Sequence, residues 1–182
     1  GAVAILTERD RLAEAIELQR KLLLDYSAFV DQQLVRFRLA QNLIKLGKNS
    51  EAEIELDSIL QITKLGRYAA DATMALAQIS QKRNDEETAI SLFNSVVEDF
   101  PYHPRRVEAI KKLAEIRTLR KEWDEAISLW ALVVEENSDS HMVQTAHVEL
   151  AEIYLVYGDN VDKSREHAEV IGATSDRKMI SY

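Results

Sequence analysis

The amino-acid sequence predicts an all-α fold built from about four stacked helix–turn–helix repeats. A Leu-Ala pair recurs every 37 residues, as Leu39-Ala40, Leu76-Ala77, Leu113-Ala114 and Leu150-Ala151. A second column of alanines, at positions 15, 52, 89 and 126, keeps the same interval. Only 5 glycines and 2 prolines are present, which leaves few residues for the turns of a β fold. Two small-residue columns locked to one period are typical of a repeat protein.

Each unit is interpreted as a helix A, a short turn and a helix B. Residues 29–46 place apolar side chains at steps of three and four, which is helical periodicity. Gly47 then ends the pattern, as a residue in the left-handed conformation does at a helix C-terminus. Asn49 and Ser50 are predicted to cap helix B, which begins at Glu51 and buries Ala52.

The later units repeat this pattern with substitutions at the turns. Asn84 replaces Gly47, because Asn tolerates the left-handed conformation, and Asp85 is expected to cap the helix that follows. In the fourth unit Gly158 stands at the turn, and Lys163 occupies the alanine column of a degenerate helix B. A polar last helix is expected in a terminal repeat, which has no neighbour on its outer side.

The two ends of the sequence are less regular. Residues 1–8 are interpreted as the end of a truncated helix A. The alternative is that residues 7–10 form a capping box that starts one long helix. Gly172 is predicted to end the last helix and to leave a disordered or weakly helical tail. The predicted organisation is one solenoid over residues 1–172, with repeats at 1–26 (partial), 27–64, 65–101, 102–138 and 139–172, and a tail at 173–182.

These units resemble tetratricopeptide repeats. In that family, helix A contains a Leu followed by a small residue, and an Ala follows 12 residues later in helix B. An aromatic residue lies four residues after this Ala, and a proline closes the unit. All four features are present in Leu76-Ala77, Ala89, Phe93 and Pro101. The resemblance covers roughly residues 11–171 and implies a right-handed α-α superhelix. Two departures are a period longer than the usual ~34 residues and a helix A aromatic that survives only as Tyr154.

The longer period and the joint from Pro101 to Pro104 carry a narrower similarity. They are similar to tetratricopeptide-like proteins of the bacterial periplasm that serve envelope assembly. This similarity favours a bacterial periplasmic or envelope location over the cytoplasm, and the compartment stays open.

The bulk composition excludes several classes of function. The formal net charge is −8, which disfavours nucleic acid and anionic membranes as partners. No cysteine is present, so disulfides, thiolate metal sites and a cysteine nucleophile are all excluded. No stretch approaches the roughly 18 apolar residues that span a bilayer, so direct membrane insertion is not expected.

The family resemblance implies a concave face, lined by the A helices, that binds a partner peptide or helix. Helical spacing from the Leu-Ala column predicts the residues that line it. They are Phe37, Gln41, Met74, Gln78, Lys111, Glu115, Val148 and Glu152. The alternative for Phe37 and Met74 is that they tilt inward and belong to the core.

Residues 105–121 carry a local excess of cations. The main interpretation is a solvated helix with internal ion pairs, such as Glu108–Lys112 and Lys111–Glu115. The alternative is a ridge that docks an acidic segment of a partner.

No pattern in the sequence indicates catalysis, and no cofactor is expected. The histidines at 103, 141, 147 and 167 lack the spacing of a helical zinc site, so no metal site is predicted. There is no glycine-rich phosphate loop and no nucleophile elbow. Trp123 and Trp130, seven residues apart, are predicted to share one buried stripe of helix B.

The sequence therefore predicts a non-catalytic scaffold that binds a partner protein or peptide in its concave groove. The alternative is a structural segment of a bacterial envelope assembly, secretion or polysaccharide-export protein. Leu12, Leu18 and Leu22 would be left uncovered in the truncated first unit, so a homodimer through this end is also expected.

Overall fold

The computed structural model describes residues 2–28, 30–136, 140–157 and 160–179, and within these residues every regular element is an α-helix. The chain divides into two compact units, residues 1–103 and 104–182. The predicted turn at Gly158 lies outside the described residues. The single solenoid over residues 1–172 stays a prediction.

Unit 1 contains five helices, α1 (Ala2–Asp25), α2 (Gln32–Lys45), α3 (Asn49–Ile62), α4 (Ala69–Lys82) and α5 (Glu86–Asp99). Each helix packs against the next one along the chain. The core between α2 and α3 contains Leu39 and Ala40 from the first column and Ala52 from the second, all 0% exposed. The two alanine-containing columns therefore build the core, as predicted.

Unit 2 contains four helices, α6 (Arg105–Leu119), α7 (Trp123–Glu136), α8 (Ser140–Val156) and α9 (Val161–Met179). Successive helices again pack against each other, and Ala114 and Ala126 are 0% exposed. Trp130 is buried, and its indole Nε1 donates a hydrogen bond to Thr118 Oγ1 at 3.1 Å. Trp123 is only half-buried, so the predicted buried stripe holds for Trp130 alone.

The turns between helices A and B keep one conformation at one register. Gly47, Asn84 and Lys121 have φ values of 76°, 62° and 60°, and they are spaced by the repeat period. The predictions for Gly47 and Asn84 are confirmed. Lys121 carries no sequence signal for the left-handed conformation, so the repeat geometry imposes it there.

The structure contains one of the two helix caps that the sequence predicts. The side chain of Asp85 accepts a hydrogen bond from Thr88 N at 3.3 Å, as predicted for the cap of α5. The prediction that Asn49 and Ser50 cap α3 is wrong, because the helix begins at Asn49 and Lys48 occupies the cap without a side-chain hydrogen bond. Only Lys48 lies between Gly47 and the first residue of α3, so the helix has already begun at the two residues that were expected to cap it.

The structure decides both ends. Residues 2–25 form one continuous helix, so no separate helix A lies within them, and the predicted capping box is also wrong because residues 7–10 lie inside the helix. The prediction that Gly172 ends the last helix is wrong, since α9 continues to Met179. A glycine inside a helix costs only about 1 kcal/mol relative to alanine, and the residues after Gly172 extend the helix in spite of it.

Candidate functional site

Each A helix of unit 1 has one side whose side chains are exposed or half-buried, although Ala75 on this side still packs against the core. The positions are spaced by four, three and four residues and are all exposed or half-buried, opposite the buried Leu-Ala side. We call this surface the unit 1 strip. It consists of Leu34, Arg38, Gln41 and Lys45 on α2 and of Asp71, Ala75, Gln78 and Lys82 on α4.

The four residues predicted for the groove in unit 1 have different locations. Gln41 is exposed and Gln78 is half-buried, and both belong to the unit 1 strip. Phe37 is half-buried at the edge of the strip and stacks on Tyr68, with ring centroids 5.6 Å apart. Met74 is 1% exposed and belongs to the core, which is the alternative interpretation of that residue, so it is not part of the candidate surface.

The same positions in unit 2 define the unit 2 strip. It consists of Glu108, Lys112, Glu115 and Leu119 on α6 and of Thr145, Glu149, Glu152 and Val156 on α8. All eight side chains are exposed or half-buried. Carboxylates dominate this strip, whereas cations outnumber carboxylates in the unit 1 strip.

The groove residues predicted in unit 2 lie on or beside its strip. Glu115 and Glu152 belong to it, and Val148 is 40% exposed. Lys111 Nζ lies 3.7 Å from Glu115 Oε1, which confirms the predicted pair. Lys112 Nζ approaches the other oxygen of Glu115 at 2.8 Å, so this carboxylate already has two cationic neighbours.

In the unit 2 strip, the surroundings of Glu149 disfavour the ionised form of its carboxyl group. Burial raises the pKa of its carboxyl group, and the negative charges of Glu152 and Glu115 raise it further, while Lys111 opposes them. Glu149 and Glu152 also line a cleft of about 120 Å³ together with Trp123, Ile153 and Val156. The cleft thus combines two carboxylates with an apolar wall.

The cations of residues 105–121 are largely engaged with carboxylates. Arg105 pairs with Glu108 at 2.6 Å, and Arg106 pairs with Glu136 of α7. Arg117 pairs with Glu122. The predicted Glu108–Lys112 pair is replaced by Arg105–Glu108, and the segment has the character of an ion-paired helix rather than of a free basic ridge.

Two histidines that are distant in sequence meet between α8 and α9. The Nδ1 atoms of His147 and His167 lie 2.9 Å apart, and the ring of Tyr154 stacks on His167 at 5.6 Å. Burial lowers the pKa of both histidines. The charge of His167 lowers the pKa of His147 further. The pKa of His167 is raised by the charge of Glu166 and lowered by that of Lys163, and burial outweighs the difference. A hydrogen bond between two such rings requires that at least one nitrogen be unprotonated.

Metal binding and membrane insertion find no support in the described part of the chain. There, no three side chains from histidine, cysteine, aspartate and glutamate are grouped so as to hold a metal ion. No described helix is long and apolar enough to cross a membrane.

Sequence reasoning located one column of each strip and missed the others. Arg38 and Glu149 lie three residues before the column that contains Gln41 and Glu152, and Lys45 and Lys82 lie four residues after it. The steps of three and four along a helix were the available signal. They could have extended the predicted surface to these charged residues.

Solved structures with related folds are similar over nearly the whole chain. MamA aligns at a TM-score of 0.70 and 16% identity, over 97% of this chain and 95% of that one. A tetratricopeptide repeat protein from Parabacteroides merdae aligns at 0.71 and 18% identity, over 97% of this chain and 65% of that one. The nearly identical TPR-like repeats of a Podosopora anserina protein described as a kinesin light chain align at 0.65 and 20% identity, over 93% and 91%.

No protein-family model and no curated protein match the sequence. The similarity to solved structures therefore establishes the fold. The chain has the helical-repeat fold of tetratricopeptide proteins, as its alanine columns predicted.

Proposed function

We propose that this chain is a non-catalytic scaffold that binds other proteins through the unit 1 strip and the unit 2 strip. The observation that carries the proposal is the contrast between the two sides of each A helix. One side is buried against helix B, while the other keeps long polar side chains in contact with solvent at every repeat. Such rows of amides and charges bind polypeptides through hydrogen bonds and complementary charge.

The two strips are suited to different segments of a partner. In the unit 1 strip, Gln41 and Gln78 offer amide donors and acceptors, with Arg38 and Lys45 as cations nearby. This chemistry suits the backbone of an extended segment, and the cations suit its carboxylates.

The unit 2 strip favours a segment that contains lysine or arginine. The negative charge of the exposed Glu152 acts on the half-buried Glu149, and a partner cation between the two carboxylates would relieve this repulsion. The apolar wall of the cleft, which includes Trp123 and Val156, suits the aliphatic stem of such a side chain.

Affinity capture with three variants of the chain tests the proposal. Gln41→Ala with Gln78→Ala alters the unit 1 strip, and Glu149→Lys with Glu152→Lys alters the unit 2 strip. Glu98→Lys with Glu135→Lys, at exposed positions of α5 and α7, is the matched control, because it changes the net charge by the same amount. Captured proteins are quantified and their affinities then measured with the purified chain.

We expect a set of proteins that the unmodified chain and the Glu98→Lys/Glu135→Lys control both capture and that at least one strip variant loses. Captured proteins that persist equally in all variants would place the binding surface elsewhere. The loss of every protein from the control as well would indicate binding by net charge alone.

A further inference from the structure

The A helices end on different kinds of residue in the two units. The helices α2, α4, α6 and α8 all end at the same register of the repeat, and the last residue of each is exposed. In unit 1 it is Lys45 or Lys82, a cation that the negative end of the helix dipole favours. In unit 2 it is Leu119, 81% exposed, or Val156, 75% exposed. The exposure is therefore a property of the register, and only the chemistry of the side chain differs between the units.

Leu119 and Val156 lie beside the cleft of the unit 2 strip, and we call these two residues the apolar end of that strip. The cleft is lined by Val156 itself and by Thr118, which precedes Leu119 on α6. Its wall also contains Trp123, whose ring lies 5.8 Å from that of Tyr157 between centroids. Apolar surface thus continues from the cleft to the ends of both A helices.

Carboxylates lie one helical turn before the apolar end. Glu115 precedes Leu119 by four residues and Glu152 precedes Val156 by four, so each pair shares one side of its helix, with about 5–6 Å between the Cβ atoms. Glu115 already contacts two lysines, whereas Glu149 and Glu152 make no ion pair with a described residue. A partner therefore meets a negative row and, one turn further on, an apolar one.

The polar groups of the unit 2 strip favour a helical partner over an extended one. Only two of its side chains carry hydrogen-bond donors, Lys112 and Thr145. Lys112 donates to Glu115 at 2.8 Å, and the hydroxyl of Thr145 donates to the backbone carbonyl of His141 at 3.0 Å. An extended segment would place its own carbonyl groups against carboxylates and apolar side chains. A helix satisfies its backbone hydrogen bonds internally, so that only its side chains need partners.

We propose that the unit 2 strip binds a basic amphipathic helix of a partner protein and that the apolar end selects it. The bound helix carries lysine or arginine and a large apolar residue on one side, three or four residues apart, which matches the single turn between the two rows of the strip. Its cations lie at Glu149 and Glu152, and its apolar residue covers Leu119 and Val156. This inference rests on the proposed function and adds to it the class of partner and the register.

Three synthetic alanine-based peptides of about 18 residues, acetylated and amidated, are the probes. The first carries lysines and leucines on one side of its helix, at a spacing of four residues. The second has the same composition with the leucines on the opposite side, and the third is the first with two prolines at its centre, which prevent a continuous helix. Binding to the full chain is measured by fluorescence anisotropy. We expect saturable binding of the first probe and affinities at least about fivefold lower for the other two.

Two pairs of substitutions locate the contact on the chain. Leu119→Ser with Val156→Ser should weaken binding of the first probe at least about fivefold, because it removes the apolar end. Ile54→Ser with Leu65→Ser, at apolar positions of unit 1 that are 64% and 70% exposed, is the matched control and should bind as the unmodified chain does.

The inference is overturned if the first probe does not bind saturably, if either of the other probes binds as tightly, or if the Leu119→Ser/Val156→Ser variant keeps its affinity. The proposed function fails on a different result, the persistence of every captured protein in all strip variants. Captured proteins that depend on a strip, together with three probes that bind alike, would therefore overturn the helix inference and leave the proposed function supported.

Discussion

Replacing Lys121 by glycine should stabilise the protein, although it removes a whole side chain. Lys121 has a φ of 60°, and a non-glycine residue in this region is strained by roughly 1–2 kcal/mol. Glycine relieves that strain but increases the conformational entropy of the unfolded chain, at a cost of roughly 0.4–1 kcal/mol. We expect a net increase in the free energy of unfolding of about 0.5–1 kcal/mol. For a chain of this length, that raises the melting temperature by about 1–4 °C.

Two further variants separate the backbone from the side chain. Lys121→Ala keeps the strain and removes the long side chain, so its stability should stay within about 0.5 kcal/mol of the unmodified protein. Gly47→Ala is the reverse change at the same register. An added Cβ there meets nothing within 4 Å, so only the backbone conformation opposes it, and we expect a loss of stability of similar size. Melting curves followed by circular dichroism provide the comparison. If Lys121→Gly is no more stable than Lys121→Ala, strain at this turn is not the cause.

Three other predictions concern packing, protonation and capping. Ala114→Leu should lower the free energy of unfolding by about 1–3 kcal/mol, because the larger side chain overpacks the core. The control Ala131→Leu, on the exposed side of α7, should leave this free energy unchanged. Equal melting temperatures of the two variants would contradict the packing role of the Leu-Ala column. The lowered pKa values of His147 and His167 mean that the unfolded chain binds their protons more readily than the folded one. Their contribution to stability is therefore present above pH 6.5, the ordinary pKa of histidine, and declines as the pH falls below it. Urea titrations between neutral and mildly acidic pH should show this decline, and His147→Gln with His167→Gln should flatten it; an unchanged slope would refute the assignment. Asp85→Ala should lower the free energy of unfolding by about 1 kcal/mol in the same titrations, because it removes the cap of α5. An unchanged free energy of unfolding would show that the hydrogen bond from Thr88 N does not stabilise the protein.

Features that depend on local periodicity could be predicted from the sequence. The Leu-Ala pairs repeat a steric requirement, the close approach of helix A to helix B, and this requirement leaves a column of small residues at fixed spacing. The same holds for Gly47 and Asn84, whose residue types tolerate the left-handed turn. Lys121 occupies that turn without any such signal, because the helices on either side impose the conformation.

The candidate strips could be predicted only in part. Gln41 and Glu152 follow from helical spacing alone. The burial of Met74 depends on how helices pack side by side, which spacing along one helix does not reveal. The contact between His147 and His167 joins residues 20 positions apart on two helices, and no local pattern connects them.

The sequence by itself determined the fold class, the repeat period, the buried columns and most of the turns, because each of these is a local or strictly periodic property of the chain. Only the tertiary structure decided which polar side chains stay exposed and which cations of residues 105–121 pair with carboxylates. These features depend on distances between different helices. Those distances exist only once the apolar sides have packed together.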